Sequence, residues 1–232
     1  ASLAHEIKNP LTPIQLSAER LEMKLSGKLG IPEQALLTKS VKTIVDQVDA
    51  MKRLVNEFRD YARLPAAELK AVDLNALALD VLNLYANENA PALVAAELDP
   101  QCPQIQGDAQ QLRQVMHNLL QNAQDATQSA DRADSLHPVV LKTQWKAASQ
   151  RVRLSVLDCG TGFQDHILKR AFEPYVTTKD KGTGLGLAVV KKIADEHGSR
   201  VEIVNRLVDG QVVGAQVSLS FAINRGATTQ PG

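Results

Sequence analysis

The sequence is poor in cysteine, in net charge and in long apolar runs. Its two cysteines, Cys102 and Cys159, lack the spacing of a zinc site or a disulfide framework, which favours a reducing cytoplasm. Because 26 basic residues balance 26 acidic ones, the chain has no electrostatic footprint for nucleic acid or for an anionic membrane. No run approaches the roughly 18 apolar residues of a spanning helix. These absences predict no nucleic-acid partner and no direct membrane contact.

What the sequence does contain is a helical periodicity over its first part. Apolar residues recur at alternating spacings of three and four from Ala4 to Leu25 and again from Leu37 to Ala62, which predicts two helices. The breaker at residues 27–32 turns the chain between them, so the helices form an antiparallel hairpin. A lone hairpin leaves half of each apolar seam wet, whereas two copies bury both halves in a four-helix bundle. The pattern therefore predicts a homodimer.

Beyond the hairpin the periodicity mixes helical and strand types. Apolar alternation at residues 139–145, 152–156 and 215–223 predicts strands of an antiparallel or mixed sheet that helices cover on one face. Asp108 is predicted to be the N-cap of one such helix, and the polar stretch 127–138 is predicted to be loop. The fold class is therefore a helical hairpin followed by an α/β domain.

Domain limits follow from where the helical seam stops, near Pro65. A chain of 232 residues is long enough for one large domain or two small ones. We predict a hairpin domain at residues 1–66, an α/β domain at 67–223 and a disordered tail at 224–232.

A histidine lies at the start of the first predicted helix, in the segment His5-Glu6-Ile7-Lys8-Asn9. Helical geometry points His5 away from the apolar seam, with Asn9 one turn further on the same exposed strip. A neutral imidazole is a competent nucleophile toward the γ-phosphorus of ATP, and the neighbouring Glu6 is the candidate base that takes the ring proton. A lone exposed histidine is more often part of a solvated helix face, and the motifs further along the chain favour the functional interpretation here.

A second polar set is the helix His117–Ala126. The i, i+4, i+7 spacing places Asn118, Asn122 and Asp125 on one face. Carboxamide oxygens suit Mg²⁺, which takes few protein ligands and fills its octahedron with phosphates and water. Asn118 supplies an amide on this face, and an amide is no general base at neutral pH.

Glycines supply the third pattern. Asp158-Cys-Gly160-Thr-Gly162 directly follows a predicted strand, and its glycines permit a close approach of backbone to ligand. The run Gly182–Leu187 leads into a helix, whose first N–H groups attract phosphate, and its spacing is not that of a dinucleotide fingerprint. Lys179 is either a phosphate contact or a solvated surface group. The predicted nucleotide residues are Asn118, Asn122, Asp125, Asp158, Gly160, Gly162, Lys179, Gly182, Thr183, Gly184, Leu185, Gly186 and Leu187.

In this order, the segments resemble the transmitter region of the two-component sensor histidine kinases, over roughly residues 1 to 223. The resemblance implies an ATP-binding domain of the gyrase, Hsp90 and histidine kinase type behind a dimeric hairpin. It makes His5 the phosphorylated histidine, Asn122 the metal ligand and Asp158 the acceptor for the adenine amino group. In this family a lid covers the nucleotide, and here only about ten residues, between Tyr175 and Leu185, would form it. This short lid resembles the nitrogen-regulatory branch, and the run Asn9–Pro13 resembles its NtrY type.

The resemblance also implies cofactors and partners. ATP and Mg²⁺ would phosphorylate His5, and an aspartate on the receiver domain of a response regulator would then take the phosphoryl group. Glu6 matches the kinase position and Asn9 the position for phosphatase chemistry toward the regulator. The chain would be the cytoplasmic portion of a membrane-anchored bacterial sensor.

Three other functions stay open at this stage. A non-catalytic scaffold would dimerise and bind a regulator without turnover, but it predicts damaged motifs. An ATP-driven conformational machine of the gyrase and Hsp90 kind needs no acceptor histidine and normally has glutamate where this chain has Asn118. In the third, phosphatase activity toward the regulator dominates over kinase activity, and the sequence does not decide which of the two activities is the stronger.

Overall fold

The computed structural model describes residues 3–87, 94–130, 139–177, 179 and 182–223, and side chains from Asn9 onward except at 86 and 87. The predicted tail at 224–232 lies outside the described residues. The chain divides into two compact units. One comprises Ala1–Leu64 and Thr178–Leu185, and the other comprises Pro65–Thr177 and Gly186–Gly232. The association of Thr178–Leu185 with the first unit is not predicted by the sequence pattern.

The first unit is built on a hairpin of two long helices, α1 (Leu3–Leu25) and α2 (Ile31–Ala62). The turn between them contains Gly27 at a φ of 75°, a conformation that glycine adopts without strain. Pro32 lies in the first turn of α2, where its missing N–H costs no helical hydrogen bond. The Nζ of Lys52 on α2 donates to Oε1 of Gln15 on α1 at 2.5 Å. The predicted antiparallel hairpin is confirmed.

Only part of each apolar seam is buried within the single hairpin. Among the seam residues whose side chains are described, five are buried, and along each helix they recur every seven residues: Leu11, Ala18, Val41, Val48 and Val55. The seam residues between them stay largely exposed, among them Ile14 at 48%, Leu21 at 56%, Ile44 at 41%, Met51 at 48% and Phe58 at 40%. One chain therefore leaves an apolar stripe on both helices.

The second unit contains two sheets. In the smaller one, β1 (Lys70–Val72) pairs antiparallel with β3 (Ile105–Gly107). The larger sheet is formed by β2 (Val94–Glu97), β4 (Val139–Lys146), β5 (Arg151–Leu157), β6 (Arg200–Val208) and β7 (Gln211–Ala222). Its order is β2-β4-β5-β7-β6, with β2 parallel to β4 and the remaining pairs antiparallel. The predicted mixed sheet is confirmed, and β5 lies at its centre.

Helices α3 (Leu74–Asn87), α4 (Ala109–Ser129) and α6 (Gly186–Glu196) pack on the large sheet, and α4 contacts both of the others. A short helix, α5, spans Asp165–Leu168. The predicted loop at 127–138 is wrong at its start, because α4 continues to Ser129, and its residues 131–138 lie outside the described residues. Thr127 is 2% exposed there, and its hydroxyl donates to the Ala123 carbonyl at 2.9 Å. A polar residue thus stays helical because the turn before it satisfies its hydroxyl.

Asp108 caps α4, as predicted. Its Oδ1 accepts N–H groups of Gln110 and Gln111 at 3.0 and 3.1 Å, which satisfies two donors of the first turn. Burial raises the pKa of the Asp108 carboxyl, but backbone N–H donors, the first being that of Glu68, lower it more, so the net pKa lies below its ordinary value. The carboxyl is therefore ionised at neutral pH.

The chain that enters the second unit is held against this helix start. The Nε2 of Gln111 donates to the Pro65 carbonyl at 2.8 Å, and the Glu68 N–H donates to Oδ2 of Asp108 at 3.0 Å. The Asp108 N–H in turn donates to Nε2 of His197 at 2.9 Å. Because Nε2 accepts, Nδ1 is the ring nitrogen that donates, and its partner is the Ile193 carbonyl at 2.8 Å.

Candidate functional site

The carboxylate of Asp158 is fixed at the end of the central strand β5. It is 7% exposed, and its Oδ1 accepts the N–H groups of Gly160 and Ala215 at 2.8 and 2.9 Å. The Asp158 N–H donates to the Ala215 carbonyl at 3.0 Å. A buried charge is tolerated because these backbone donors replace water. The backbone therefore fixes the direction of the carboxylate.

Both glycines of the Asp158 motif are required by their surroundings. A Cβ on Gly160 would lie 2.9 Å from both the Cβ and the carbonyl oxygen of Ala126 on α4. Gly162 has a φ of 73°, and a Cβ there would lie 2.5 Å from Cγ1 of Val212 on β7. Any larger residue would push the loop away from α4 or from the β6–β7 hairpin.

The amide face of α4 lies against the start of α6. The Nδ2 of Asn118 donates to the Gly186 carbonyl at 3.3 Å. A Cβ built on Gly186 would lie 3.5 Å from Nδ2 of Asn122, so the two residues adjoin. Asp125 is half-buried one turn further, and its Oδ1 accepts from Nε2 of Gln121 at 3.0 Å. The structure thus brings Asn118 and Asn122 together with the first residue of α6.

The Asp158 loop and the start of α6 both contact helix α4. Ala126, which adjoins Gly160, follows Asn122 by one helical turn, a rise of about 6 Å. The first backbone N–H groups of α6, at Gly186 and Leu187, have no acceptor within their own helix and form a favourable place for an anion. The loop of the buried Asp158 carboxylate and the start of α6 are therefore held by one framework.

The remaining glycine-run residues belong to the first unit. The Gly182 N–H donates to the Lys179 carbonyl at 3.0 Å, and Gly184 has a φ of 70°. The Thr183 hydroxyl donates to the carboxylate of Glu57 on α2 and accepts the Leu185 N–H at 3.3 Å. Leu185 is fully buried. In this structure the threonine is therefore held by the hairpin helix.

The histidine segment lies at the start of α1. His5 and Glu6 are within the helix, but their side chains lie outside the described residues, as does the predicted exposure of His5. Asn9, one turn later, is described and exposed. The predicted helical setting of His5 is therefore present.

Sequence reasoning missed three residues that hold the Asp158 loop. They are Asn205 and Arg206 on β6, which hydrogen-bond Phe163 and Asp158, and Gly214 on β7. Gly214 is the one sequence signal that indicates this contact, because a glycine inside a strand pattern often marks a close approach of another backbone segment.

A divalent cation at this site would have few protein ligands. Among the described residues, no group of three or more His, Cys, Asp or Glu side chains could hold a metal ion. Mg²⁺ is satisfied by one or two protein ligands when phosphates supply the rest, so the amides beside Gly186 fit it. Within the same residues, no helix is long and apolar enough to cross a membrane.

Two parts of the chain match families of known proteins. Residues 1–67 match the His Kinase A (phospho-acceptor) domain. Residues 107–225 match the family described as histidine kinase-, DNA gyrase B- and HSP90-like ATPases. The nitrogen regulation protein NtrY of Azorhizobium caulinodans is 35% identical over 201 residues, which cover 87% of this chain and 26% of that protein. The chain thus spans about a quarter of that relative.

Two solved structures have similar folds. Full-length ShkA in complex with AMPPNP has a TM-score of 0.66 and 28% identity, and the match covers 94% of this chain and 44% of that one. Histidine kinase ThkA in complex with the response regulator TrrA has a TM-score of 0.63 and 26% identity, over 94% of this chain and 59% of that one.

Proposed function

This chain belongs to the sensor histidine kinases, and we propose that it transfers the γ-phosphoryl group of ATP to His5 and then to an aspartate of a response regulator. The predicted family, its NtrY-like branch, the fold class and the enzyme class are confirmed by the two matched domains and by the NtrY relative. The C-terminal domain is an ATP-binding domain. The residue roles below are our proposals.

One observation carries the proposal. The loop that begins with the buried Asp158 carboxylate, which two backbone N–H donors fix, adjoins α4, the helix that carries the Asn118–Asn122 pair beside the start of α6. We assign Asp158 to the adenine amino group. Guanine has a carbonyl oxygen in that position, and this oxygen and the Asp158 carboxylate are both acceptors, so no hydrogen bond could form between them. We assign the α6 N-terminus to the phosphates.

The transfer step needs little covalent chemistry from the ATP-binding domain. A neutral ring nitrogen of His5 forms the N–P bond while the bond from the γ-phosphorus to its bridging oxygen breaks, and ADP leaves. Glu6 takes the ring proton, which keeps the attacking nitrogen pair available. Asn122 would hold Mg²⁺, which would supply charge neutralisation at the phosphates. Asn118 lacks a carboxylate that could activate water, so the arrangement favours the histidine as acceptor.

The experiment that tests this function is incubation of the chain with γ-labelled ATP and Mg²⁺. Phosphohistidine is recognised as label on protein that acid removes and base does not. Transfer is then followed by adding a receiver domain from a response regulator and watching the label move. Nucleotide binding without label would favour the non-catalytic scaffold, and release of free phosphate without labelled protein would favour an ATP-driven conformational machine.

Replacing Asn122 by alanine is expected to raise the Mg²⁺ concentration for half-maximal labelling about tenfold, because a carboxamide ligand is removed from the metal. The measurement is initial labelling rate against Mg²⁺ at fixed ATP. Gln128→Ala is the control, since it removes an exposed amide from the same helix. An unchanged Mg²⁺ requirement would contradict the metal role of Asn122.

We also propose that two copies of the chain form the active species. The apolar stripe that one hairpin leaves exposed, including Ile44, Met51 and Phe58, is the surface a second hairpin would cover in a four-helix bundle. Sedimentation at micromolar concentration should give twice the 25.2 kDa of one chain. Ile44→Glu with Met51→Glu should give single chains that remain helical by circular dichroism, whereas Lys42→Glu, an exposed change on the same helix, should leave the dimer intact. A wild-type chain that sediments singly would refute the dimer.

The partner and cellular setting are proposed on the same basis. ThkA was solved with a response regulator, and the NtrY relative is a nitrogen regulation protein. We therefore propose a receiver domain as the phosphoryl acceptor and the cytoplasmic portion of a membrane-anchored sensor as the setting. The exposed Asn9, one turn after His5, is assigned to orienting water when the phosphorylated regulator is hydrolysed.

A further inference from the structure

We propose that Arg206 and Asn205 are positioning residues that determine how strongly the site prefers adenine over guanine. They would act through the loop Asp158–Phe163 without touching the nucleotide. This inference rests on the proposed role of Asp158 as the adenine acceptor.

Arg206 holds the first residue of the loop. Its Nη1 donates to the main-chain carbonyl of Asp158 at 2.6 Å, and it also lies 3.9 Å from Sγ of Cys159. A charged donor makes this bond stronger than one between neutral groups. Together with the Ala215 backbone, Arg206 fixes both peptide groups that flank the Asp158 side chain. The direction of the carboxylate therefore depends on the guanidinium.

Asn205 holds the last residue of the same loop. Its Oδ1 accepts the Phe163 N–H and its Nδ2 donates to the Phe163 carbonyl, both at 2.8 Å. One carboxamide thus satisfies both backbone groups of Phe163, which requires a side chain that accepts and donates at once. The same Oδ1 would lie 2.7 Å from a Cβ on Gly162. The two ends of the loop are therefore held by consecutive residues of one strand.

The strand is irregular at this point. The register between β6 and β7 shifts between Arg206 and Leu207, and Arg206 pairs with Gly214. A Cβ on Gly214, whose φ is 149°, would lie 2.0 Å from the carbonyl oxygen of Asp158. The missing side chain of Gly214 thus leaves room beside the oxygen that Arg206 binds. Bulges next to sites commonly redirect a side chain, and here the shift accompanies an arginine on the loop.

A hairpin that served stability alone would not need these contacts. Elsewhere on the sheet, Arg153 forms a surface pair with Glu202 at 2.9 Å, which contributes little, and Arg151 donates to Ser220 of the neighbouring strand. Arg206 instead binds a backbone atom of the residue that reads the base. A small displacement of Asp158 would lengthen the bond to the adenine amino group, and selectivity depends steeply on that bond.

The test compares Arg206→Met, Arg206→Lys and Asn205→Asp with the wild type, in the full chain. Titrations measure the Kd of Mg·ATP and of Mg·GTP, and labelling of His5 measures the rate at saturating ATP. Arg206→Met should weaken ATP about tenfold and GTP little, so that the ATP-to-GTP preference falls about tenfold. The rate at saturating ATP should stay within about twofold, since the phosphate end is untouched. Arg206→Lys should recover part of the preference, because an ammonium also donates to a carbonyl.

The control is Arg200→Met, which removes an exposed arginine from the same strand and should leave both Kd values unchanged. A lower melting temperature with an unchanged ATP-to-GTP ratio would overturn the inference, because it would show a purely structural role. If Arg206→Met fails to fold, the ATP-to-GTP ratio is measured in Arg206→Lys and Asn205→Asp instead. A ratio that is unchanged from the wild type in both would overturn the inference. A wild-type chain that does not prefer ATP over GTP would overturn both this inference and the proposed role of Asp158.

Discussion

Replacing His5 by glutamine abolishes acid-labile phosphorylation of this chain, which is the largest effect we expect. Glutamine keeps a polar side chain of similar length and a good helix propensity, so α1 should be preserved. It cannot supply a neutral ring nitrogen, and an amide is not a nucleophile toward phosphorus. The measurement is label on protein after incubation with γ-labelled ATP and Mg²⁺, with nucleotide binding measured in parallel to show that the ATP-binding domain is intact.

The matched control is Asn9→Ala, on the same helix and one turn away. This variant should label as the wild type does, while the phosphorylated regulator loses phosphate more slowly in its presence. Label that persists in His5→Gln would contradict the choice of acceptor. Two other histidines are poor substitutes, because His117 adjoins the Tyr85 hydroxyl at 2.8 Å and both ring nitrogens of His197 are hydrogen-bonded.

Asp158→Asn is expected to weaken ATP binding about a hundredfold, because one acceptor oxygen becomes a donor that faces the donor of adenine. The fold should survive, since the oxygen of asparagine can still accept the N–H groups of Gly160 and Ala215 that Oδ1 of Asp158 accepts. The measurement is the Kd of Mg·ATP by titration, with the melting temperature of the nucleotide-free protein beside it.

Asp165→Asn is the control for this substitution, since it changes an exposed aspartate in the short helix that follows the loop. Its Kd should equal that of the wild type. An Asp158→Asn protein that binds ATP normally would refute the adenine role. Equal losses for ATP and GTP would also refute it, because the substitution should weaken only the nucleotide whose base has an amino group at C6, where guanine has a carbonyl oxygen.

Local chemistry was predictable from the sequence. Asp108 was recognised as an N-cap because a cap bonds residues two and three positions away, and its bonds to Gln110 and Gln111 confirm this. Strands β4, β5 and β7 were recognised because their inward faces are apolar at a period of two. These signals are carried within a few residues of the chain.

Contacts between distant segments were not predictable. His197 accepts from Asp108 across 89 positions, and Arg206 reaches Asp158 across 48. Strand β6 lies at the edge of its sheet and is nowhere fully buried, so its apolar pattern is weak. A single sequence records neither which strands meet nor which polar side chain faces which carbonyl, so the loop clamp on Asp158 required the structure.

The attachment of Pro65 and Glu68 to the first turn of α4 has a mechanical consequence. A force on the main chain at Pro65 acts on Gln111 and Asp108, and a continuous helix is stiff along its axis. Asn122 lies about 16 Å farther along the same helix, at a rise of about 1.5 Å per residue. The two hydrogen bonds and the short β1–β3 pairing are the parts of the connection between Pro65 and α4 that deform most easily. Their strength therefore limits the tension that can reach the amides before the connection yields.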